Sequence, residues 1–527
     1  MSHIGKPPCD EGAILHGGFA APCGPRARRW TLVAAILGSS MAFVDGTVVN
    51  VALPAMQRDL DASAAEAQWI IESYALFLAA LLLVGGALGD RFGRRLIFII
   101  GVAIFTAASM ACSLSTSAHA VIVARAIQGA GAALLVPGSL ALISATFPAE
   151  ERGAAIGTWS AFSGIAAAAG PVLGGYLIEH YSWTWAFLVN VPVGVTLLAM
   201  CAIKVPESRG PASSRGIDRL GAVLATAGLG GIVFALTEVA ARGWAAAEVW
   251  VACLFGIVAL GAFVRVEARA GAPMLPLALF AVRNFSGTNL LTLLLYAALG
   301  GGLYFVPLNL IQIQGYGPAA AGAAMLPFVA IMFALSRWAG HLVDRLGPKI
   351  PLVAGPLVAA VGFALFAVPA IGGTYWQTFF PAVCVLGLGM AITVAPLTTT
   401  VMNSVGTDLA GVASGINNAV SRAAALIAIA VFGIVMASAF DLELGARLLH
   451  LDAPQDVVRA LALQREKLGG MVVPAGLDDA LTSTIRQAIG MAFVAGFRWI
   501  MLACVMLALA SAFAAWRMID GRPVAAR

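Results

Sequence analysis

Charge is scarce in this sequence. Asp, Glu, Lys and Arg make up 11% of its 527 residues, against about 25% in soluble domains. Hydrophobic residues reach 60%, and the mean hydropathy is +0.92. A water-soluble chain of this composition would expose large apolar patches and aggregate. A row of soluble domains is therefore excluded, and a lipid bilayer is the natural solvent. The formal net charge is only +5. Its basic residues stand in short clusters at the ends of apolar runs, which reports membrane topology and not nucleic-acid binding.

Other chemistry is missing too. The seven cysteines (Cys9, Cys23, Cys112, Cys201, Cys253, Cys384 and Cys504) stand singly, with no CxxC and no metal-ligand spacing. Neither a disulfide framework nor a metal or other cofactor is expected. No GxxxxGK[ST] loop is present, which excludes an ATP-driven pump of that type, and no HExxH or GxSxG supports an enzyme.

Long apolar runs are what the chain does have. Runs of about 20 residues suit membrane-spanning helices. They fall near 30–53, 67–89, 96–115, 119–143, 154–178, 183–203, 219–240, 246–266, 284–311, 316–340, 350–371, 375–398, 409–440 and 490–516. Fourteen spans are expected. Arg26, Arg28 and Arg29 precede the first, which reads as an uncleaved span with its N-terminus inside. On that footing 21 Lys and Arg fall in inner segments, against Arg58 and Arg242 in short outer loops. The bias places both termini in the cytoplasm of a multi-pass cell-membrane protein.

The spans carry an internal repeat. Residues 86–95 read GALGDRFGRR and residues 340–349 read GHLVDRLGPK. The first copy joins spans 2 and 3; the second joins spans 10 and 11, two spans later than a pair of six-span halves would put it. Two inserted helices near 219–266 account for the delay. The expected organisation is a cytoplasmic tail (1–29), a six-helix bundle (30–203), a linker with two inserted helices (204–283), a second six-helix bundle (284–516) and a tail (517–527). Direct repeats of this kind build two bundles around a midplane site. Gly86, Asp90, Arg91, Gly93 and Arg94 in the first loop, and Gly340, Asp344, Arg345 and Gly347 in the second, read as tight turns beside a charged latch.

A few polar residues stand inside the spans. Asp45, in MAFVDGTVVNVALP, is an intramembrane carboxylate and so is neutral, paired or working. Glu72 shares a helix face with Trp69, a pair that suits a lipophilic cation; snorkelling to the outer interface is the even alternative. Arg125 cannot deprotonate and needs a counter-charge or water. Arg422 and Arg498 lie within spans and are expected to face the cavity or each other's neighbours. Gly170, Pro171, Gly174 and Gly175 strip side chains from one face of span 5 and bend it. The segment 441–489 holds seven acids and five bases with helical periodicity. It reads as an external cap, a docking element for an outer-face adaptor protein, or a linker.

These motifs together resemble the major facilitator superfamily, and within it the fourteen-helix drug–proton antiporter branch. GALGDRFGRR is similar to motif A, RAIQGAGAALLVPG to motif B through Arg125, Gln128 and Gly129, and GPVLGGYL to the antiporter motif C. VDGTVVNVALP, PMLPLALFAVRNF and GVASGINNAVSR resemble further stretches of the branch. The resemblance implies an all-α fold of two six-helix bundles plus two inserted helices. It implies Asp45 and Arg125 as the proton-coupling pair, and a substrate cavity that includes Glu72, Trp69, Arg422 and Asn417. It further implies a seam at motif C that seals against proton leak. The partners so implied are protons, a small-molecule substrate and the bilayer. A transporter dedicated to one metabolite, siderophore or lipid precursor, or a receptor that has lost transport, keeps the same fold.

Overall fold

The computed structural model describes residues 24–147, 149–208, 219–270, 273, 275–405, 410–451, 453–474 and 477–521. The side chains of some helical residues, Asp90 and Asp344 among them, lie outside this description. The described residues form helices and turns, with no strand among them. In lipid no water satisfies backbone N–H and C=O groups, so each apolar run closes its own hydrogen bonds as a helix.

In chain order the long helices are α1 (Pro25–Asp59), α2 (Ala64–Phe92), α3 (Arg94–Leu114), α4 (Ala118–Thr146) and α5 (Ala149–His180). Next come α6 (Trp185–Lys204), α7 (Arg219–Arg242), α8 (Ala247–Glu267), α9 (Arg283–Leu308) and α10 (Leu326–Leu346). The series ends with α11 (Lys349–Phe366), α12 (Phe379–Asn403), α13 (Ala410–His450), the short α14 (Gln455–Ala462) and α15 (Asp479–Met518). Thirteen stretches of described helix are long and apolar enough to cross a membrane. The fifth expected span coincides with α5, 32 residues long. Start signals are local: Ser63 and Glu66 exchange backbone and side-chain bonds of 2.9–3.1 Å in a capping box before α2.

Backbone proximity divides the chain into two units. One comprises Met1–Val49, Ile70–Gly230 and Val258–Pro276; the other comprises Asn50–Trp69, Gly231–Ile257 and Leu277–Arg527. In the first, Tyr74, Phe98, Phe105, Leu135, Leu142 and Leu197 build a buried core. There α3 and α4 touch backbone to backbone, since a Cβ on Gly131 would lie 2.9 Å from Gly101 O. In the second unit α11 and α12 use the same device, with a Cβ on Gly389 at 2.9 Å from Gly355 O. Gly101 follows Gly93, and Gly355 follows Gly347, by the same eight residues. The repeat therefore extends past the loop into the packing of the helix that follows.

Several boundaries differ from the expected ones. α11 stops at Phe366, short of the expected 371, because Pro369 and two positive-φ glycines, Gly372 and Gly373, break the chain there. α13 runs on to His450 and α15 begins at Asp479, so the expected 441–489 loop is largely helix at both ends. Between them lie α14 and a 3-10 turn, Arg465–Gly470. The described part of this segment is thus no plain linker. Within the second unit Lys467 Nζ sits 2.5 Å from Asp61 Oδ1, and Gln312 Nε2 donates to Gln57 Oε1 at 3.0 Å.

Candidate functional site

The first unit buries a polar cluster around Asp45. Asp45 on α1 and Arg125 on α4 are each 1% exposed. Arg125 Nη1 donates to Asp45 Oδ2 and, at 2.7 Å, to Gln128 Oε1. Arg125 Nε donates to Ile70 O at 3.0 Å. Its guanidinium lies 4.2 Å from the centroid of the Tyr74 ring. Asp45 Oδ1 accepts from Gln128 Nε2 at 2.8 Å and from Asn190 Nδ2 at 3.0 Å. Ser109 Oγ accepts from the same two amides at 2.8 and 3.4 Å.

The arrangement answers the cost of placing ions away from water. Desolvating a carboxylate and a guanidinium is offset only when geometry is good and the remaining lone pairs and protons are bonded. Here both carboxylate oxygens have donors, and Nε and Nη1 of the arginine have acceptors. A proton added to Asp45 would weaken the grip of Arg125 and leave a buried cation short of its counter-charge. The cluster therefore ties α1, α4 and α6 together through one carboxylate.

Motif C lies against the same stretch of α1. A Cβ on Gly170 would stand 2.1 Å from Thr47 Oγ1 and 3.1 Å from Val44 O. One on Gly174 would stand 2.8 Å from Val48 Cγ1. These glycines let α5 approach α1 beside Asp45. Gly175 is buried and Pro171 half-buried in the same helix.

In the first motif A loop Gly93 has φ 126°, and a Cβ there would meet the Glu207 carboxyl at 2.9 Å. The Glu207 carboxylate accepts from the backbone N–H groups of Arg95 at 2.9 Å and Leu96 at 3.1 Å, capping α3 from the chain that follows α6. Arg94 is buried and donates to Ala141 O at 3.5 Å, whereas Arg91 is exposed with its guanidinium 5.4 Å from the Phe92 ring. The close contact of α2 with α4 falls on Gly85, whose Cβ would lie 2.0 Å from Ala133 O; Gly86 has ordinary spacing. In the second loop Gly347 has φ 74° and ends α10, Arg345 is exposed, and Gly340 has open space around it. The expected pairings of Asp90 and Asp344 fall on side chains outside the described residues.

The remaining expected site residues are dispersed. Glu72 is fully buried in the first unit, which removes the snorkelling alternative. Trp69 lies in the second unit, its ring 6.2 Å from Phe234 of the inserted α7. Asn417 donates to Thr292 Oγ1 at 2.7 Å and Asn289 Oδ1 at 3.2 Å, tying α13 to α9. Arg422 is half-buried on α13. Arg498 is exposed and donates to the carbonyl of Ala367 at 3.1 Å, capping the chain after α11. Sequence reasoning missed Asn190, Ser109 and Glu207. Asn190 and Ser109 carry no charge to mark them, and Glu207 sits in a linker that only the folded chain returns to α3.

Comparisons agree with this architecture. A family profile for the Major Facilitator Superfamily matches residues 35–429. The Tetracenomycin C resistance and export protein of Streptomyces glaucescens is 34% identical over 90% of this chain and 88% of its own. The Puromycin resistance protein pur8 of Streptomyces alboniger is 36% identical over 80% and 84%. The Multidrug resistance protein Stp of Mycobacterium tuberculosis is 32% identical over 90% and 92%. Among solved structures, an inward-facing bacterial homolog of the human lysosomal transporter Spinster matches in fold, with TM-score 0.64 at 18% identity over 94% of this chain and 98% of that one. The chain is a multi-pass membrane transporter, and it belongs to the major facilitator superfamily.

Proposed function

We propose that the protein is a proton-coupled antiporter that exports drugs or other amphipathic small molecules across the cytoplasmic membrane, with both termini in the cytoplasm. The observation that carries this reading is the buried Asp45, bonded by Arg125, Gln128 and Asn190. A proton from outside neutralises Asp45, frees Arg125 from it and favours one access state. Loss of that proton inside restores the grip. Glu72, Trp69, Asn417 and Arg422 are the side chains that meet the cargo as access alternates. The motif A loops brace the cytoplasmic side, and the seam of Gly170, Pro171, Gly174 and Gly175 keeps α5 closed on α1.

The driving force suffices. One proton crossing about 100 mV releases about 2.3 kcal/mol, enough for roughly a fiftyfold gradient of a neutral cargo at about 1.4 kcal/mol per tenfold. The names of the relatives, which speak of resistance to or export of antibiotics, support a drug-like cargo. Everted membrane vesicles holding a pH gradient test this. Addition of a cationic, neutral or anionic compound that is a substrate collapses the gradient in vesicles with the wild type and not with Asp45→Asn. Collapse that is equal in both contradicts the assignment.

A second reading, export of one dedicated compound, is favoured by the single compound named for one of the relatives, tetracenomycin C. Competition across the same panel separates the two: a dedicated exporter responds to one chemical class.

A further inference from the structure

One exposed apolar side of α15 carries a ruler. Trp499, Leu502, Met506, Leu509, Phe513 and Trp516 recur at steps of three and four, and each is at least 41% exposed. Steps of this kind hold residues on one helix face. The two tryptophans stand 17 residues apart, or about 26 Å at the helical rise. That is close to the ~30 Å hydrocarbon thickness, and tryptophan favours the two headgroup levels. Trp499 therefore marks the headgroup depth on the side away from Met518.

At that depth a groove of about 380 Å³ opens between α13, α15 and the chain after α11. Arg447 and Arg498 both line it, with Leu502 one turn further towards Trp516. Arg498 uses Nε and Nη2 for the carbonyls of Ala367, Val368 and Pro369, and among the described residues Nη1 has no acceptor. Arg447 Nη2 pairs with Glu443 Oε1 at 2.6 Å, and Glu443 lines the groove as well. Two guanidinium groups against one carboxylate leave a net positive charge at headgroup level, beside the exposed apolar side chains of Trp499, Leu502 and Met506.

We propose that this groove binds the phosphate of an anionic phospholipid, with the acyl chains along Trp499 and Leu502. Arginine suits phosphate because its planar fork matches two oxygens. Glu443 competes for Arg447, so it weakens the site and tunes it.

The test is native mass spectrometry of the delipidated full chain, titrated with phosphatidylglycerol or phosphatidylcholine. The wild type takes up phosphatidylglycerol with about fivefold higher affinity than phosphatidylcholine, a difference expected for one charge-assisted contact near water. Arg447→Gln abolishes the preference. Glu443→Gln raises the phosphatidylglycerol affinity about fivefold, a gain that misfolding cannot produce. Equal binding of the two lipids by the wild type, or no gain in Glu443→Gln, overturns the proposal. Full displacement of phosphatidylglycerol by millimolar inorganic phosphate overturns the lipid as the occupant.

Discussion

Asn190 donates to Asp45 at 3.0 Å across 145 residues of sequence, and it does so from the same side as Gln128. The carboxylate is thus held by one charge and two neutral amides. Truncation of Asn190 to Ala leaves Oδ1 with a single amide donor. A hydrogen bond to a charged group contributes about 1.5–3 kcal/mol, so transport at a fixed pH gradient should fall about tenfold or more while surface expression holds. Uptake into everted vesicles, normalised to protein, checks this; unchanged uptake places Asn190 outside the coupling site.

Arg125→Lys keeps the charge and loses the fork. Lysine cannot at once reach Asp45, Gln128 Oε1 and Ile70 O from one planar group. Coupled transport should drop by at least tenfold, while substrate binding measured without a gradient stays within about twofold. Full coupling by the lysine variant excludes a role for the fork geometry.

The motif C seam makes a packing prediction with a built-in rescue. Gly170→Ala puts a methyl group 2.1 Å from Thr47 Oγ1, and overpacking of this kind costs about 1–3 kcal/mol. Its thermal midpoint in detergent should fall by several degrees. Thr47→Ala removes the obstructing oxygen and should restore part of the loss in the double variant, a non-additivity expected of residues in contact. Additive effects would show that the two helices do not meet there.

Glu207 and Gly93 form a second pair. Glu207→Gln keeps an oxygen for the N–H groups of Arg95 and Leu96, whereas Glu207→Ala removes it. The alanine variant should lose about 0.5–2 kcal/mol of stability and the glutamine variant less. Gly93→Ala should be worse than either, because it meets both a φ of 126° and the Glu207 carboxyl. Thermal unfolding of the three proteins orders them.

Much of this was legible in the sequence, for physical reasons. Apolar runs longer than a bilayer is thick leave helix as the only choice, so fourteen spans could be counted, though not where α13 or α11 would stop. Asp45 and Arg125 announced themselves because ions inside apolar runs are rare. Their joining was suggested by resemblance, and the distance came only from the fold. Asn190 and Ser109 gave no signal, since a neutral polar residue in a span is ordinary. Gly85, not Gly86, makes the close contact, because helix rotation decides which of two adjacent glycines faces α4. Arg498 shows the limit from the other side: a charge inside a span suggested the cavity or a neighbouring residue, and only the fold shows it bonding the carbonyls after α11. Trp69 was grouped with Glu72 by helical phase, and its contact with Phe234 of an inserted helix is one that phase could not reveal.

The central claim is that Asp45 carries the proton exchanged for cargo. Purified protein in proteoliposomes with an internal pH dye tests it most directly: substrate is added on one side and proton movement is read on the other. The account predicts substrate-driven proton flux in the wild type and none in Asp45→Asn, with both proteins binding the same substrate. Proton flux in the Asp45→Asn protein equal to that of the wild type would contradict it.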